Sequence, residues 1–196
     1  MTREMLFALA LGYLLGSIPF GLVLTRLAGK GDIRNIGSGN IGATNVLRTG
    51  NKWLAGLTLI FDCLKATAAI LIAQRLFGPE TGAFAATGAL VGHLYPVWLK
   101  FRGGKGAATL FGVLIALLPI AAAVYAAIWI LLLLTIRISS VAGMSAAVSA
   151  PITAAVLHSS FLPMLLGFAV LVLWKHRENI LRLRRGTEPR IGRSKA

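Results

Sequence analysis

Acidic residues are scarce: six Asp and Glu stand against twenty Lys and Arg in 196 residues, and charged residues of both signs make up only 13%. A soluble domain carries about a quarter charged residues and interrupts its apolar runs often, so a chain that is 57% hydrophobic with a mean hydropathy of +0.79 falls outside that class. Cysteine occurs once, at Cys63, which excludes an internal disulfide framework and any cysteine-rich metal or iron–sulfur site. No ligand cluster of a suitable type exists elsewhere, so neither a metal nor a cofactor is expected. Internal repeats, inverted symmetry and low-complexity linkers are also missing. What the chain does contain is a succession of apolar runs of about 20 residues, the signature of bilayer spans, and its length leaves room for one membrane domain over residues 1–196 and no second.

A basic excess suits either nucleic acid or a membrane surface, and position decides between them. Sixteen of the twenty cations fall in three segments: Arg26, Lys30, Arg34, Arg48 and Lys52; Lys100, Arg102 and Lys105; and Lys175, Arg177, Arg182, Arg184, Arg185, Arg190, Arg193 and Lys195. Segments at about 27–52, 96–106 and 175–196 therefore read as cytoplasmic loops between spans, and no nucleic-acid partner is expected. The apolar runs cover about Met5–Leu24, Trp53–Ile72, Thr81–Trp98, Ala107–Ile136, Ser139–Leu157 and Phe161–Trp174. The first lacks the short core and Ala-x-Ala site of a signal peptide and reads as a retained helix. If all three basic segments face one side, an even number of crossings lies between residues 106 and 175. Either Ala107–Ile136 is a hairpin broken at Pro119, or Ser139–Trp174 is one interrupted span. Proline removes a backbone donor and disfavours helix in the residue before it, which favours the first solution. The expected fold is thus an all-α, polytopic integral membrane bundle of seven transmembrane helices, with five as the fallback, the N-terminus outside and the C-terminus cytoplasmic. Trp53, Trp98 and Trp174 fall at cytoplasmic helix ends, where amphipathic rings belong. Gly12-x-x-x-Gly16 and Gly88-x-x-x-Gly92 have the spacing that lets helix backbones approach.

Three polar segments carry the chemistry. The first runs from Gly37 through Ser38, Gly39, Asn40, Thr44 and Asn45 to Arg48. Its glycines turn tightly and expose N–H groups, its short polar side chains add donors, and its arginine adds a fork suited to phosphate or carboxylate, so it reads as an oxyanion cradle; the alternative is a tight connecting loop with capping residues. The second runs from Gly92 and His93 to Gly103-Gly104-Lys105-Gly106 and opens a helix at Ala107. Unpaired N–H groups at a helix start, with Lys105 beside them, suit a phosphate; the alternative is a basic surface turn held by lipid headgroups. It is not a Walker A loop, because the spacing fails, no strand precedes it and no carboxylate is placed for magnesium. In the third, His176 and Asn179 lie three apart, and His176 is the leading candidate for a general base; the alternatives are a structural interfacial histidine and a substrate phosphate oxygen that takes the proton. Asp62 and Lys65, also three apart, lie inside an apolar run, where they are either a self-neutralising scaffold pair or part of a site. His158 falls in an outer loop and has no assigned role. A His-x-x-x-x-Asp acyltransferase motif is absent, since Trp98, Pro163 and Leu181 stand five residues after the three histidines.

Together, Ser38-Gly-Asn-x-Gly-Ala-Thr-Asn-x-x-Arg48, Gly92-His-x-x-Pro-x-Trp-x-x-Phe-x-Gly-Gly-Lys-Gly-x-Ala-Thr109 and His176-x-x-Asn-x-x-Arg-Leu-x-x-Gly-x-Glu188 resemble the three motifs of the bacterial membrane glycerol-3-phosphate acyltransferases that use acyl phosphate. Asp62-x-x-Lys65 and Ser140 also match family positions, and the resemblance runs from about residue 12 to Glu188. It departs at Trp98, where Phe is common, and at Ala107, where Val is frequent. The resemblance implies acyl transfer from a fatty acyl phosphate to the 1-hydroxyl of glycerol 3-phosphate, giving lysophosphatidic acid and phosphate on the cytoplasmic face of the bacterial inner membrane. It implies that Ser38, Arg48, Lys105, His176 and Asn179 serve catalysis. Gly39, Asn40, Thr44, Asn45, Gly103, Gly104, Gly106 and Ser140 would bind phosphate, with the Gly103–Gly106 turn as the glycerol 3-phosphate site. Glu188 takes a more structural part, and Asp62, Lys65 and His93 are left structural or undecided. The implied partners are the two substrates and membrane lipids; a soluble acyl-phosphate synthase is a further candidate that the residues neither require nor exclude.

Overall fold

The computed structural model describes residues 1–192; Arg193 and Lys195 of the basic C-terminal segment lie outside them. All regular structure among the described residues is helical: α1 Arg3–Gly16, α2 Phe20–Leu27, α3 Ala43–Leu47, α4 Lys52–Phe77, α5 Gly82–Leu94, α6 Ala107–Leu117, α7 Pro119–Thr135, α8 Ser139–Val156, α9 Leu162–Lys175 and α10 Arg177–Arg184. Three stretches are long and apolar enough to cross a bilayer, Arg3–Leu27, Lys52–Phe77 and Ser139–Val156, and α6, α7 and α9 are shorter apolar helices. The chain folds as two compact units, Met1–Leu117 and the part from Leu118 onward.

Several ends differ from the sequence expectation. The first apolar run is two helices, because Pro19 has no N–H and sits at the start of α2 after a break at Ser17–Ile18. The second extends to Phe77, and Gly78, at φ +104°, stops it in a conformation reserved for glycine. The third ends at Leu94, four residues short of Trp98, ahead of Pro96 and a single 3-10 turn, Val97–Leu99. The long fourth run is divided where expected, with Leu118 non-helical between Leu117 and Pro119. Ser139–Val156 and Leu162–Lys175 are separate helices that pack on each other.

In the first unit α1 packs on α5 through both small-residue pairs. A Cβ at Gly12 or Gly16 would overlap the backbone of Ala85 or Ala89, and one at Gly88 or Gly92 would overlap the backbone of α1 at Leu9 and Tyr13. α4 lies against α1, α5 and α6, and Gly112 of α6 meets the Cys63 carbonyl so closely that no side chain fits. The interior is accordingly alanine-rich, with Ala66, Ala69, Ala73, Ala85, Ala86 and Ala89 fully buried, while Leu57, Ile60, Leu64 and Leu71 of α4 point outward. Small residues inside and large apolar ones outside is the arrangement expected where lipid, not water, surrounds the helices and close packing drives association. The second unit repeats it: Ala142, Ala146, Ala150 and Ala154 of α8 are fully buried, and Leu131, Leu134 and Val170 are exposed. A separate apolar cluster of Leu22, Ile33, Ile41, Val46, Leu54 and Ala55 forms a floor beneath the loop that joins α2 to α4.

Candidate active site

That floor holds the first polar segment, and Asn45 organises it. Its buried side-chain amide donates through Nδ2 to the carbonyls of Ile33 (3.0 Å), Ile36 (2.9 Å) and Asn40 (2.8 Å), while its Oδ1 accepts from Ser38 N (3.0 Å), Ser38 Oγ (3.3 Å) and Arg48 Nη1 (3.3 Å). One side chain thus ties the loop's backbone and brings Ser38 and Arg48 together. Gly37 must be glycine for two reasons, a φ of +58° and the approach of the Arg48 side chain to within 2.6 Å of where a Cβ would stand. Asn40 accepts from the Gly42 N–H at 2.8 Å and so closes the turn instead of facing outward. Ser38, Gly39, Thr44 and Arg48 are exposed. Nearby, Asp32 caps the turn Ile33–Asn35 and pairs with Arg26 at 2.8 Å and with Arg34; the hydrogen bonds from Arg34 hold its carboxyl far below the usual range.

The second segment hangs on His93. The Gly104 N–H donates to the His93 carbonyl at 2.9 Å and the Gly103 N–H to the Leu94 carbonyl at 3.2 Å. A Cβ at Gly103 would overlap the His93 carbonyl, and one at Gly104 would overlap the His93 ring at Nε2. Lys100 and Phe101 take left-handed backbone conformations that fold Pro96–Arg102 into a tight turn, and Gly106, at φ +89°, redirects the chain into α6. Gly104 and Gly106 are buried and Lys105 is half-buried at the helix start. The turn is fastened to α1 by Tyr13 Oη to the Tyr95 carbonyl (2.9 Å) and Trp98 Nε1 to the Ser17 carbonyl (2.7 Å). Behind it lie Asp62, Lys65 and His93, each about 95% buried or more: Lys65 Nζ meets Asp62 Oδ1 at 2.7 Å, the Ile18 carbonyl at 2.8 Å and His93 Nδ1 at 2.9 Å.

In the second unit the hub is Glu188. Its side chain is 6% exposed and accepts from Ser140 Oγ (2.6 Å), Asn179 Nδ2 (2.5 Å) and Arg182 Nε (2.7 Å). Burial raises the pKa of this carboxyl, but the three donors outweigh burial and hold it below the ordinary glutamate value. His176 links α9 to α10, buried, with Nδ1 at 2.8 Å from the Val172 carbonyl. A carbonyl only accepts, so the proton sits on Nδ1 and a neutral ring has its lone pair on Nε2.

The family model glycerol-3-phosphate acyltransferase matches residues 6–186. Curated relatives of that name include one from Mesorhizobium japonicum, 55% identical over 193 residues and 98% of both chains, and one from Brucella anthropi, 55% identical over 196 residues with 98% of this chain and 96% of that one covered. The chain belongs to the glycerol-3-phosphate acyltransferase family. A crystal structure of PlsY (YgiH), an integral membrane glycerol 3-phosphate acyltransferase in its glycerol 3-phosphate form, superposes with a TM-score of 0.90 at 40% identity over 96% of each chain. The lysophosphatidic acid form superposes with a TM-score of 0.87 at 39% identity, covering 96% of this chain and 95% of that one.

As a glycerol-3-phosphate acyltransferase the chain is an integral membrane enzyme of phospholipid synthesis, and its polar residues divide into two kinds. Ser38 and Arg48 are gathered by Asn45; Gly103 to Gly106 are gathered by His93; Asn179 and Ser140 are gathered by Glu188. The gathering residues are buried or nearly so, and their hydrogen bonds go to protein. Arg182, one of the cytoplasmic cations and a position of the third motif, is paired by the structure with Glu188 across the turn at Gly186. The six-residue Arg–Glu spacing around a glycine was the available signal. Tyr13, Ile18 and Ser17 gave none, because they contribute a hydroxyl or backbone carbonyls to residues more than 45 positions away.

Proposed function

We propose that this protein transfers a fatty acyl group from acyl phosphate to the 1-hydroxyl of glycerol 3-phosphate, releasing lysophosphatidic acid and inorganic phosphate. The observation that carries the reading is the pair of forms in which the 40%-identical neighbour was crystallised, one with the acceptor and one with the acylated product. The local chemistry supports it, since each substrate carries a phosphate and the chain carries two glycine-rich loops with a cation at each, Arg48 and Lys105. Lys105 and the Gly103–Gly106 turn are assigned to glycerol 3-phosphate; Ser38, Gly39, Thr44 and Arg48 to the phosphate of the donor.

In the reaction the acceptor hydroxyl oxygen attacks the acyl carbon, the bond from that carbon to the phosphate oxygen breaks, and the electron pair leaves on phosphate. Phosphate is a good leaving group, so most of the catalytic effect is positioning and stabilisation of the developing oxyanion by Arg48, Lys105 and backbone N–H groups. His176, with its proton on Nδ1, is the candidate base for the hydroxyl proton, and Asn179 on α10 is held by Glu188.

The membrane arrangement read with this function is one domain of seven crossings in the bacterial cytoplasmic membrane, with the N-terminus outside and the segments 27–52, 96–106 and 175–192 cytoplasmic. Bonds within each unit support it: Trp98 to Ser17 joins the ends of α5 and α1, while Ile191 to Arg137 (2.7 Å) and Glu188 to Ser140 join the C-terminal segment to the start of α8. At 11 residues, about 16 Å, α6 is short for a crossing of about 30 Å, and the buried glycine turn before it supplies the missing depth with backbone shielded by protein. An acyl phosphate is a reactive mixed anhydride, which keeps a soluble synthase delivering it at the cytoplasmic face as a candidate partner.

The test is acyl transfer by purified protein in detergent, given labelled glycerol 3-phosphate and either palmitoyl phosphate or palmitoyl-CoA. Product from the acyl phosphate alone is expected. Product from the thioester alone overturns the donor assignment, and product from neither overturns the function.

A further inference from the structure

The function above uses the Gly103–Gly106 turn but leaves unexplained the most buried ionic group of the first unit, Asp62 and Lys65, and the histidine they touch. An ammonium has three protons to donate and no lone pair to accept with. Lys65 Nζ has three acceptors in place: Asp62 Oδ1 at 2.7 Å, the Ile18 carbonyl at 2.8 Å and His93 Nδ1 at 2.9 Å. The Ile18 carbonyl is reachable because the helix is interrupted at Pro19, so the break between α1 and α2 serves this contact. Asp62 supplies the counter-charge that lets a side chain 2% exposed remain an ammonium. Facing that ammonium, Nδ1 of His93 is an acceptor; a doubly protonated ring would set N–H against N–H. Read as an acceptor there, Nδ1 leaves the proton of a neutral ring on Nε2; Asp62 Oδ1, at 3.7 Å, is too far to take a hydrogen bond from Nδ1. Nε2 is also the edge that lies where a Gly104 side chain would stand, and the backbone carbonyl of the same histidine receives the Gly104 N–H at 2.9 Å. Ring and backbone of His93 together form the seat of the glycine turn.

We propose that Lys65 is a positioning residue for acceptor binding: through Nδ1 it sets the tautomer and rotation of His93, and the Nε2–H edge of that ring fixes the Gly103–Gly106 turn for the phosphate of glycerol 3-phosphate. This rests on the proposed function, which assigns the turn to that substrate. The buried histidines then have opposite tautomers, since His176 carries its proton on Nδ1 against the Val172 carbonyl.

The chain has three histidines, so nitrogen NMR on protein labelled at histidine nitrogen, with His93→Asn identifying one ring by its disappearance, reads the tautomers directly. At pH 7 His93 is expected to be protonated on Nε2 only; protonation on Nδ1 overturns the proposal. Kinetics supply the second measurement. Removing Lys65 alone strands Asp62, so the charge-neutral pair Asp62→Asn with Lys65→Met is used, its folding verified by a Tm close to wild type. It is expected to raise KM for glycerol 3-phosphate about tenfold or more while KM for palmitoyl phosphate stays within about twofold. His93→Gln, whose amide reaches the Nε2 position, is expected to retain more acceptor affinity than His93→Asn, which reaches only the Nδ1 position. A folded double variant with both KM values unchanged, or with both raised equally, overturns the proposal. A wild-type protein that transfers no acyl group refutes the proposed function, yet the tautomer measurement needs no turnover and decides the Lys65–His93 link separately.

Discussion

Replacing Glu188 by Gln separates architecture from chemistry at the C-terminal site. The glutamine keeps one carbonyl oxygen for Ser140 Oγ and Asn179 Nδ2, but sets an amide N–H where Oε2 now accepts from Arg182 Nε at 2.7 Å. A hydrogen bond to a charged group contributes roughly 1.5 to 3 kcal/mol, and the two that remain lose their charge assistance, which is about half their strength. Arg182, about a third exposed, turns to water and recovers part of the loss. The net cost is then about 2 to 3 kcal/mol, which for a chain of this size lowers Tm by roughly 5 to 10 °C. The pH dependence identifies the cause. The folded pKa of Glu188 lies below its ordinary value, so its stabilisation is complete above about pH 4.3 and is lost as pH falls through the depressed folded value. Thermal unfolding of both proteins in one detergent should show a gap that is constant from pH 5 to pH 7 and closes in more acidic buffer. A gap that persists undiminished below pH 4, or no gap at pH 7, refutes the assignment of Glu188 as an ionised hub.

Three further substitutions read the other sites. Asn45→Asp turns two donors into acceptors against three carbonyls and should cost about 3 kcal/mol or more in thermal unfolding while abolishing transfer, since Ser38 and Arg48 lose their common anchor; a stable, active variant contradicts the hub. Gly104→Ala drives a methyl into the His93 ring and should raise KM for glycerol 3-phosphate about tenfold or more with kcat changed less, whereas an effect confined to the acyl donor would move the acceptor site elsewhere. His176→Ala should lower kcat by about 100-fold to 10,000-fold with glycerol 3-phosphate binding intact by calorimetry; near-normal turnover would give the proton to a substrate phosphate oxygen.

The helices were legible because apolar runs near 20 residues speak for themselves, and the division at Pro119 followed from proline's missing donor. Pro19, well inside the first apolar run, carried the same signal for the break at Ser17–Ile18, but what that break serves was not legible, because the contact that uses it comes from Lys65, 47 residues away. The same division runs through the site. Composition marked Ser38 to Arg48 and Gly103 to Gly106 as polar loops; the structure leaves Ser38, Gly39, Thr44 and Arg48 exposed and Lys105 half-buried, with Asn45, Gly104 and Gly106 buried. Composition did not separate the residues that line a loop from those that hold it, since Asn40, Asn45 and Ser140 are as polar as Ser38 and Thr44. Only burial separates them: Asn45 and Ser140 are 2% and 4% exposed and spend their hydrogen bonds on protein. In an apolar bundle a buried polar group without a partner costs several kcal/mol, so Asn45 and Ser140 mark places where the fold has built partners for them. Asp62 and Lys65 were recognisable as a pair by their helical spacing, but what they support was not, because His93 lies on another helix 28 residues further on, and through it the pair reaches the turn that carries Lys105.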